Sequence, residues 1–185
     1  MRRIGESAKA DLSWVQVHWG VGQDAYELRS GDEVLGTVRY NGLFTAGADA
    51  EAATGRWIFS PDGISRQRTL IYAEGSDRAV AIYSNSALRG QLRGVLRFND
   101  RSEFSWLRRG TWAPIWEFAT TRGETILSIT EKIELGACVE IREKAHSLPE
   151  LPLLVLLGWY LRQAGVEAEE RQAKRDASRR RHSRR

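Results

Sequence analysis

The stretch from Leu151 to Leu161 constrains the fold more than any other part of this 185-residue chain. Leu153-Leu-Val-Leu-Leu157 covers every direction of a helix, and Gly158-Trp-Tyr-Leu161 continues the run without a polar face. A helix that is apolar all round must be buried on all sides. The run is eleven residues long with Pro152 inside it, short of the ~20 needed to cross a bilayer. The protein itself must therefore surround this helix, and threading it through a closed β-barrel is one way to do so. Upstream, Ser147-Leu-Pro-Glu150 has the Ser-x-x-Glu form of a capping box. Pro152 is tolerated in a first turn, so the helix is expected to begin within 148–152 and to cover about 148–163.

The rest of the chain reads as strands. Val15, Val17 and Trp19 alternate. Tyr26–Arg29 and Val34–Tyr40 flank Gly31-Asp32, a hairpin pattern. After residue 55, strand-like runs such as Trp57–Phe59, Ala79–Tyr83, Phe104–Leu107, Ile115–Ala119 and Thr125–Thr130 alternate with turn signals. Those turns include Ser60-Pro-Asp-Gly63, Glu74-Gly-Ser-Asp77, Asn99-Asp-Arg-Ser102 and Arg122-Gly-Glu124. About nine or ten short strands at a spacing of ~8–12 residues predict an antiparallel sandwich or barrel. No crossover helices are visible, so a parallel α/β fold is excluded. The Gly- and Ala-rich segment Asn41–Thr54 reads as a loop or a weak short helix.

Many short strands followed by one wholly apolar helix resemble the tubby-like barrel superfamily. That group includes tubby C-terminal domains, phospholipid scramblases and LURP-one-related proteins. The residues that carry the resemblance are Trp57-Ile-Phe-Ser-Pro-Asp-Gly-Ile64, Trp116-Glu-Phe-Ala-Thr-Thr-Arg-Gly123 and Leu153–Leu161, within a span of about 14–163. It implies a mainly β chain: a closed, twelve-stranded antiparallel barrel around a buried hydrophobic C-terminal helix. The extra strands would have to come from 12–54. In such proteins, function is associated with phosphoinositide binding, membrane-lipid handling or signalling. No residue-level lipid site carries over, because no matching motif is present. The expected organisation is a flexible leader over 1–12, a barrel domain over 13–164 and a basic tail over 165–185.

Charge is concentrated in that tail. Residues 1–164 hold 20 basic and 20 acidic residues, whereas 165–185 hold 8 basic and 4 acidic, which accounts for the net +4. The chain ends Ser178-Arg-Arg-Arg-His-Ser-Arg-Arg185, with no apolar residue beyond Ala177. Glu167/Arg171 and Glu170/Lys174 are spaced to extend the helix a little, and disorder is expected beyond Ala177. The N-terminus Met-Arg-Arg-Ile-Gly-Glu-Ser lacks the apolar region of a secretory signal. With one cysteine, no intramolecular disulfide framework is possible. These features read as cytoplasmic, with a peripheral membrane location allowed for.

Catalytic signatures are missing from the sequence. There is no phosphate-cradling GxxxxGK[ST] loop, no GxGxxG, no HExxH and no Gly-x-Ser-x-Gly elbow. Cys138 and His146 match a nucleophile pair in residue type, but Cys138 also suits an inward strand position as a small core residue. Asp100 and Glu103 match an acid–base pair, or belong to a solvated turn. Glu131, Glu134, Glu140 and Glu143 do not follow the ligand ladder of an EF-hand. No catalytic residue, metal ligand or cofactor is assigned. The aromatic set Trp106, Trp112 and Trp116, with Arg108 and Arg109 between, suits a buried strand pattern except at Trp112, which lies in a loop.

The expected function is therefore a non-enzymatic module that binds an anionic ligand, first of all a membrane phospholipid head group. Its candidate residues are Arg108, Arg109 and Trp112 with Arg175, Arg179, Arg180, Arg181, Arg184 and Arg185 as an electrostatic anchor. Each such charge near an anionic membrane contributes ~1 kcal/mol. The alternatives are a nucleic-acid-associated protein that uses the same arginines on phosphates, and a small-ligand carrier or enzyme with an unrecognised pocket.

Overall fold

The computed structural model describes residues 1–7, 11–18, 24–41, 47–63, 67–88, 91–110, 112–132 and 136–182. Its strands are β1 (Leu12–His18), β2 (Asp24–Ser30), β3 (Glu33–Tyr40), β4 (Ala48–Ala52), β5 (Gly55–Asp62) and β6 (Arg68–Ala73). They continue as β7 (Ala79–Leu88), β8 (Gln91–Phe98), β9 (Glu103–Arg109), β10 (Ile115–Thr120), β11 (Thr125–Lys132) and β12 (Gly136–Ile141). A short helix α1 (Ile4–Ser7) precedes them and a long helix α2 (Leu151–His182) follows. Every strand pairs antiparallel with its sequence neighbours, and β1 closes on β12 through Leu12↔Val139 and Trp14↔Ala137. The result is the expected closed antiparallel barrel, here of twelve strands.

A barrel of about eight strands is filled by its own side chains, and much larger ones enclose a channel. Twelve strands need a filler, and α2 supplies it. Leu151, Leu153–Leu157 and Trp159–Leu161 are all buried. Inward positions alternate along each strand, as the pleat requires: Trp14, Leu28, Val38, Phe59, Ile71, Leu96, Phe118, Leu127 and Ile129 all contribute to this core. Where α2 passes close to the wall, the wall residues are small. A Cβ on Gly36 would stand 2.9 Å from Leu156 Cδ2.

The same reasoning explains β4, where the sequence reading expected a loop or short helix. Ala48, Ala50 and Ala52 all face inward and are buried, with Asp49 exposed on the alternate face. Their periodicity is that of a strand, but alanine carries little strand propensity; it is there because the helix leaves little room. Another boundary also moves. β5 runs through Pro61 and Asp62, so the turn after it is at Gly63, with φ +79°, rather than over the whole Ser60–Gly63 segment.

Both chain ends differ from expectation. The leader is not loose over residues 4–7: α1 places Ile4 in the core, and Arg2 pairs with Glu33 at 3.6 Å. Helix α2 begins at Leu151, inside the expected window, with Pro152 in its first turn. It does not stop near 163 or give way to disorder at Ala177, but continues to His182. The buried turns supply the nucleus, so the costly initiation of a helix is already met. Ala, Glu, Gln, Lys and Arg, all strong helix formers, then propagate it.

Buried phenols make stability sensitive to alkali. Burial raises the ionisation of Tyr40 and Tyr83 well above the ordinary tyrosine range. A phenol whose folded value is raised stabilises the fold fully below its unfolded value, ~10, and this is lost as pH rises beyond it. The expected outcome is a fall in the urea midpoint above about pH 10, with Tyr83→Phe flattening that fall. An equal fall in the variant would count against the assignment.

Candidate functional site

Strand direction fixes which end of the barrel is which. Helix α2 starts beside α1 and the Glu143–Ala145 turn, where β12 ends and β1 begins; a Cβ on Gly5 would meet the His146 carbonyl at 2.5 Å. It leaves at the opposite end, where β9 ends and β10 begins. There, a Cβ on Gly165 would lie 2.7 Å from Trp116 Cη2. The β9–β10 connection and the basic extension of α2 therefore share one end of the barrel, the mouth.

The mouth is lined by aromatic rings and arginines. Trp159 of α2 stacks on Trp14 of β1 with centroids 5.0 Å apart, and Tyr26 lies 4.9 Å from Trp159. Arg162 lies over the Trp159 ring at 4.9 Å and forms an ion pair with Glu131 of β11. Next around the wall, Arg108 lies 5.7 Å over Trp116. Tyr160 faces the other side, 5.2 Å from Phe59 and 6.0 Å from Tyr40. These pairs follow from helical spacing: Trp159, Arg162 and Gly165 are three apart and step around α2 past β1, β11 and β10.

Each sequence candidate now has a place. Trp106 and Trp116 are buried and stacked at 5.7 Å, as their alternation predicted. Trp112 is 99% exposed. Arg109 is held by Glu117 through a 2.5 Å bond, so its charge is paired on the outer wall. Arg108 turns inward onto Trp116 instead. Arg175, Arg179, Arg180 and Arg181 lie on α2 beyond the mouth, with Arg179 exposed. Arg184 and Arg185 lie outside the described residues. The structure therefore brings Trp112, Arg108 and the basic extension to one end, while Arg109 is committed elsewhere.

The weaker catalytic pairs come apart. Cys138 is not an inward core residue: its register partners are Ser13 and Thr130, its neighbours Ala137 and Val139 face the core, and it is half-buried on the outer face. His146 lies beyond the end of β12, at the opposite end from the mouth. Asp100 accepts the Ser102 N–H at 2.8 Å, which holds its carboxyl below the usual range, and Glu103 binds Arg97 at 2.7 Å. Both carboxylates serve the β8–β9 turn. Among the described residues, no group of three or more His, Cys, Asp or Glu side chains is placed to hold a metal ion. No helix among them is long and apolar enough to cross a membrane.

Sequence reasoning missed a groove of about 350 Å³ on the outer wall across β3, β4 and β5. Arg56 spans it, bonded to Glu51 at 3.0 Å and Glu74 at 3.2 Å. Its lining sets Arg39 and Arg56 against Asp49, Glu51 and Glu74, a slight acidic excess that does not attract an anion. Only the register, which sets Glu51 opposite Arg56, makes it visible. No protein-family model, curated protein or solved structure matches this chain.

Proposed function

We propose that the protein is a non-enzymatic binding module for an anionic ligand, a membrane phospholipid head group first of all. The basic extension of α2 is its electrostatic anchor, in a cytoplasmic, peripheral membrane setting. The observation that carries this reading is the shared end: a fully exposed indole, Trp112, stands at the same mouth from which the basic helix emerges. Trp is amphipathic and suits a lipid interface, and clustered arginines are drawn to anionic lipid. Membership of the tubby-like superfamily belongs to the same proposal and rests on the sequence layout alone.

The test is co-sedimentation with anionic vesicles at low and high salt, using the full chain, Trp112→Ala and a chain ending at Glu170. Full-length protein is expected to pellet at low salt. The shortened chain is expected to lose most of that binding, since several charges at ~1 kcal/mol each are removed. Trp112→Ala should weaken binding while its unfolding free energy stays within ~0.5 kcal/mol of the parent, because an exposed side chain contributes little to stability. Salt-insensitive pelleting, or none, would overturn the reading.

A second reading is favoured by one observation. The basic residues from Arg171 to Arg181 sit on an α-helix that has no large apolar residue after Val166, a form that a nucleic-acid groove accommodates. Relief of pelleting by a short DNA duplex, with tight duplex binding by the full chain, would select that reading over the lipid one.

A further inference from the structure

We propose that one wall of the mouth is a built binding site for a phosphate-type oxyanion, formed by Trp14, Trp116, Trp159 and Arg162. The inference rests on the anionic-ligand reading above and places the ligand. Trp14, Trp116 and Trp159 are 1%, 2% and 3% exposed, yet the Nε1–H of each has no hydrogen-bond partner. Arg162 is 11% exposed at its side chain, and its Nε is likewise unpartnered. Buried donors without acceptors are costly and uncommon. An indole Nε1–H and a guanidinium Nε–H only donate, so what satisfies them must accept.

Trp14, Trp159 and Arg162 adjoin one another, and Trp116 stands further round the same helix. Trp14 stacks on Trp159, Arg162 lies on Trp159, and Gly165, one turn further along α2, abuts Trp116. Trp14, Ala137 and Glu131 share one inward register row, so β1, β12 and β11 present this wall side by side, with β10 next. Arg108 over Trp116 adds a second positive charge at its far edge. Glu131, a carboxylate of this wall, is 51% exposed and holds Arg162. It stands where an incoming oxyanion would bind, as a tethered competitor that swings out to solvent when the ligand arrives. Two guanidinium groups on indole faces, in a wall that also carries unpartnered indole donors, suit a phosphate oxygen set, which accepts several charge-assisted hydrogen bonds at once.

Indole Nε1–H signals in an ¹H–¹⁵N spectrum of the full chain read this site directly, assigned by Trp14→Phe, Trp116→Phe and Trp159→Phe. The probes are inorganic phosphate and a short-chain phosphatidic acid kept monomeric. The expected result is a saturable downfield shift of these three signals together, with Trp112 unmoved by phosphate. Arg162→Met should weaken the affinity about tenfold, as the loss of one charged partner implies, and Glu131→Gln should strengthen it. A response to the lipid alone assigns the site to a head group with its glycerol. A response to both assigns it to phosphate itself. No saturable shift with either probe, with cross-peaks from the three protons to long-lived water, overturns the proposal: the donors are then satisfied by buried water. An unchanged affinity in a folded Arg162→Met chain overturns it as well. Vesicle binding that persists without indole shifts leaves the membrane reading standing and removes this site; indole shifts without vesicle binding do the reverse.

Discussion

Leu156→Asp is expected to give a chain with no cooperative unfolding transition. Leu156 is fully buried in the second turn of α2, and its Cδ2 occupies the space that a Cβ on Gly36 would need. The substitution removes an apolar side chain, at ~2–5 kcal/mol for truncation of this size. It also places a carboxylate inside the apolar core, and burying a charge without a partner adds several kcal/mol more. Domain stability is ~5–15 kcal/mol in total, so the sum consumes most or all of it. Leu156→Met, which conserves volume, should cost less than ~1.5 kcal/mol. Circular dichroism with urea titration separates the two. A soluble Leu156→Asp chain that unfolds cooperatively would mean the helix is not enclosed.

The second large effect concerns the seam between Trp106 and Gly158. Trp106 stacks on Trp116, tilts against Phe118 at 4.6 Å and touches the helix at its glycine. A Cβ on Gly158 would lie 3.3 Å from Trp106 Cζ3 and 3.2 Å from Ile129 Cδ1. Glycine inside a helix costs about 1 kcal/mol relative to alanine, and here that cost is offset by the seat it gives a tryptophan. Trp106→Ala is expected to lose ~3–5 kcal/mol through the cavity it leaves. Gly158→Leu alone should also destabilise, by ~1–3 kcal/mol, because a full side chain cannot share that space. Together the two should be milder than their sum by ~1 kcal/mol or more, since the new leucine fills part of the cavity. Urea midpoints of the four chains give the coupling directly. Strict additivity, within ~0.5 kcal/mol, would show that the two residues do not meet.

Much of the architecture could be read from residue order because its causes are local. Gly31, Gly75 and Gly123 mark turns at φ +58°, +76° and +82°, and only a residue without a Cβ takes such angles readily. The all-round apolarity of Leu153–Leu157 forced enclosure in the same way. What escaped the sequence was set at a distance. The inward residues of strand Ala48–Ala52 are alanines because α2, about a hundred residues later, packs against them. The Arg108 and Arg109 pair looked alike in sequence, yet alternation sends one onto Trp116 and the other to Glu117. The donor wall could not be read at all, since an indole in a sequence carries no sign of whether its N–H finds a partner. The long α2 was underestimated because a polar tract that cannot nucleate a helix alone continues one that packing has already begun.

The filler of this barrel is also the last element of it along the chain. Strands β1 and β12 must meet across the whole wall before the cylinder exists, and the cylinder has no apolar centre until α2 arrives. Contacts so remote in sequence fold slowly, and a chain emerging vectorially can bury its inward faces only after residues 151–161 are free. Until then Trp14, Phe59, Trp106 and Phe118 stand open on incomplete sheets with unpaired edges, the kind of surface that associates wrongly or is held by chaperones. Closure of this barrel is thus expected to wait for α2, and a chain without that segment is expected to expose apolar strand faces rather than close a smaller barrel.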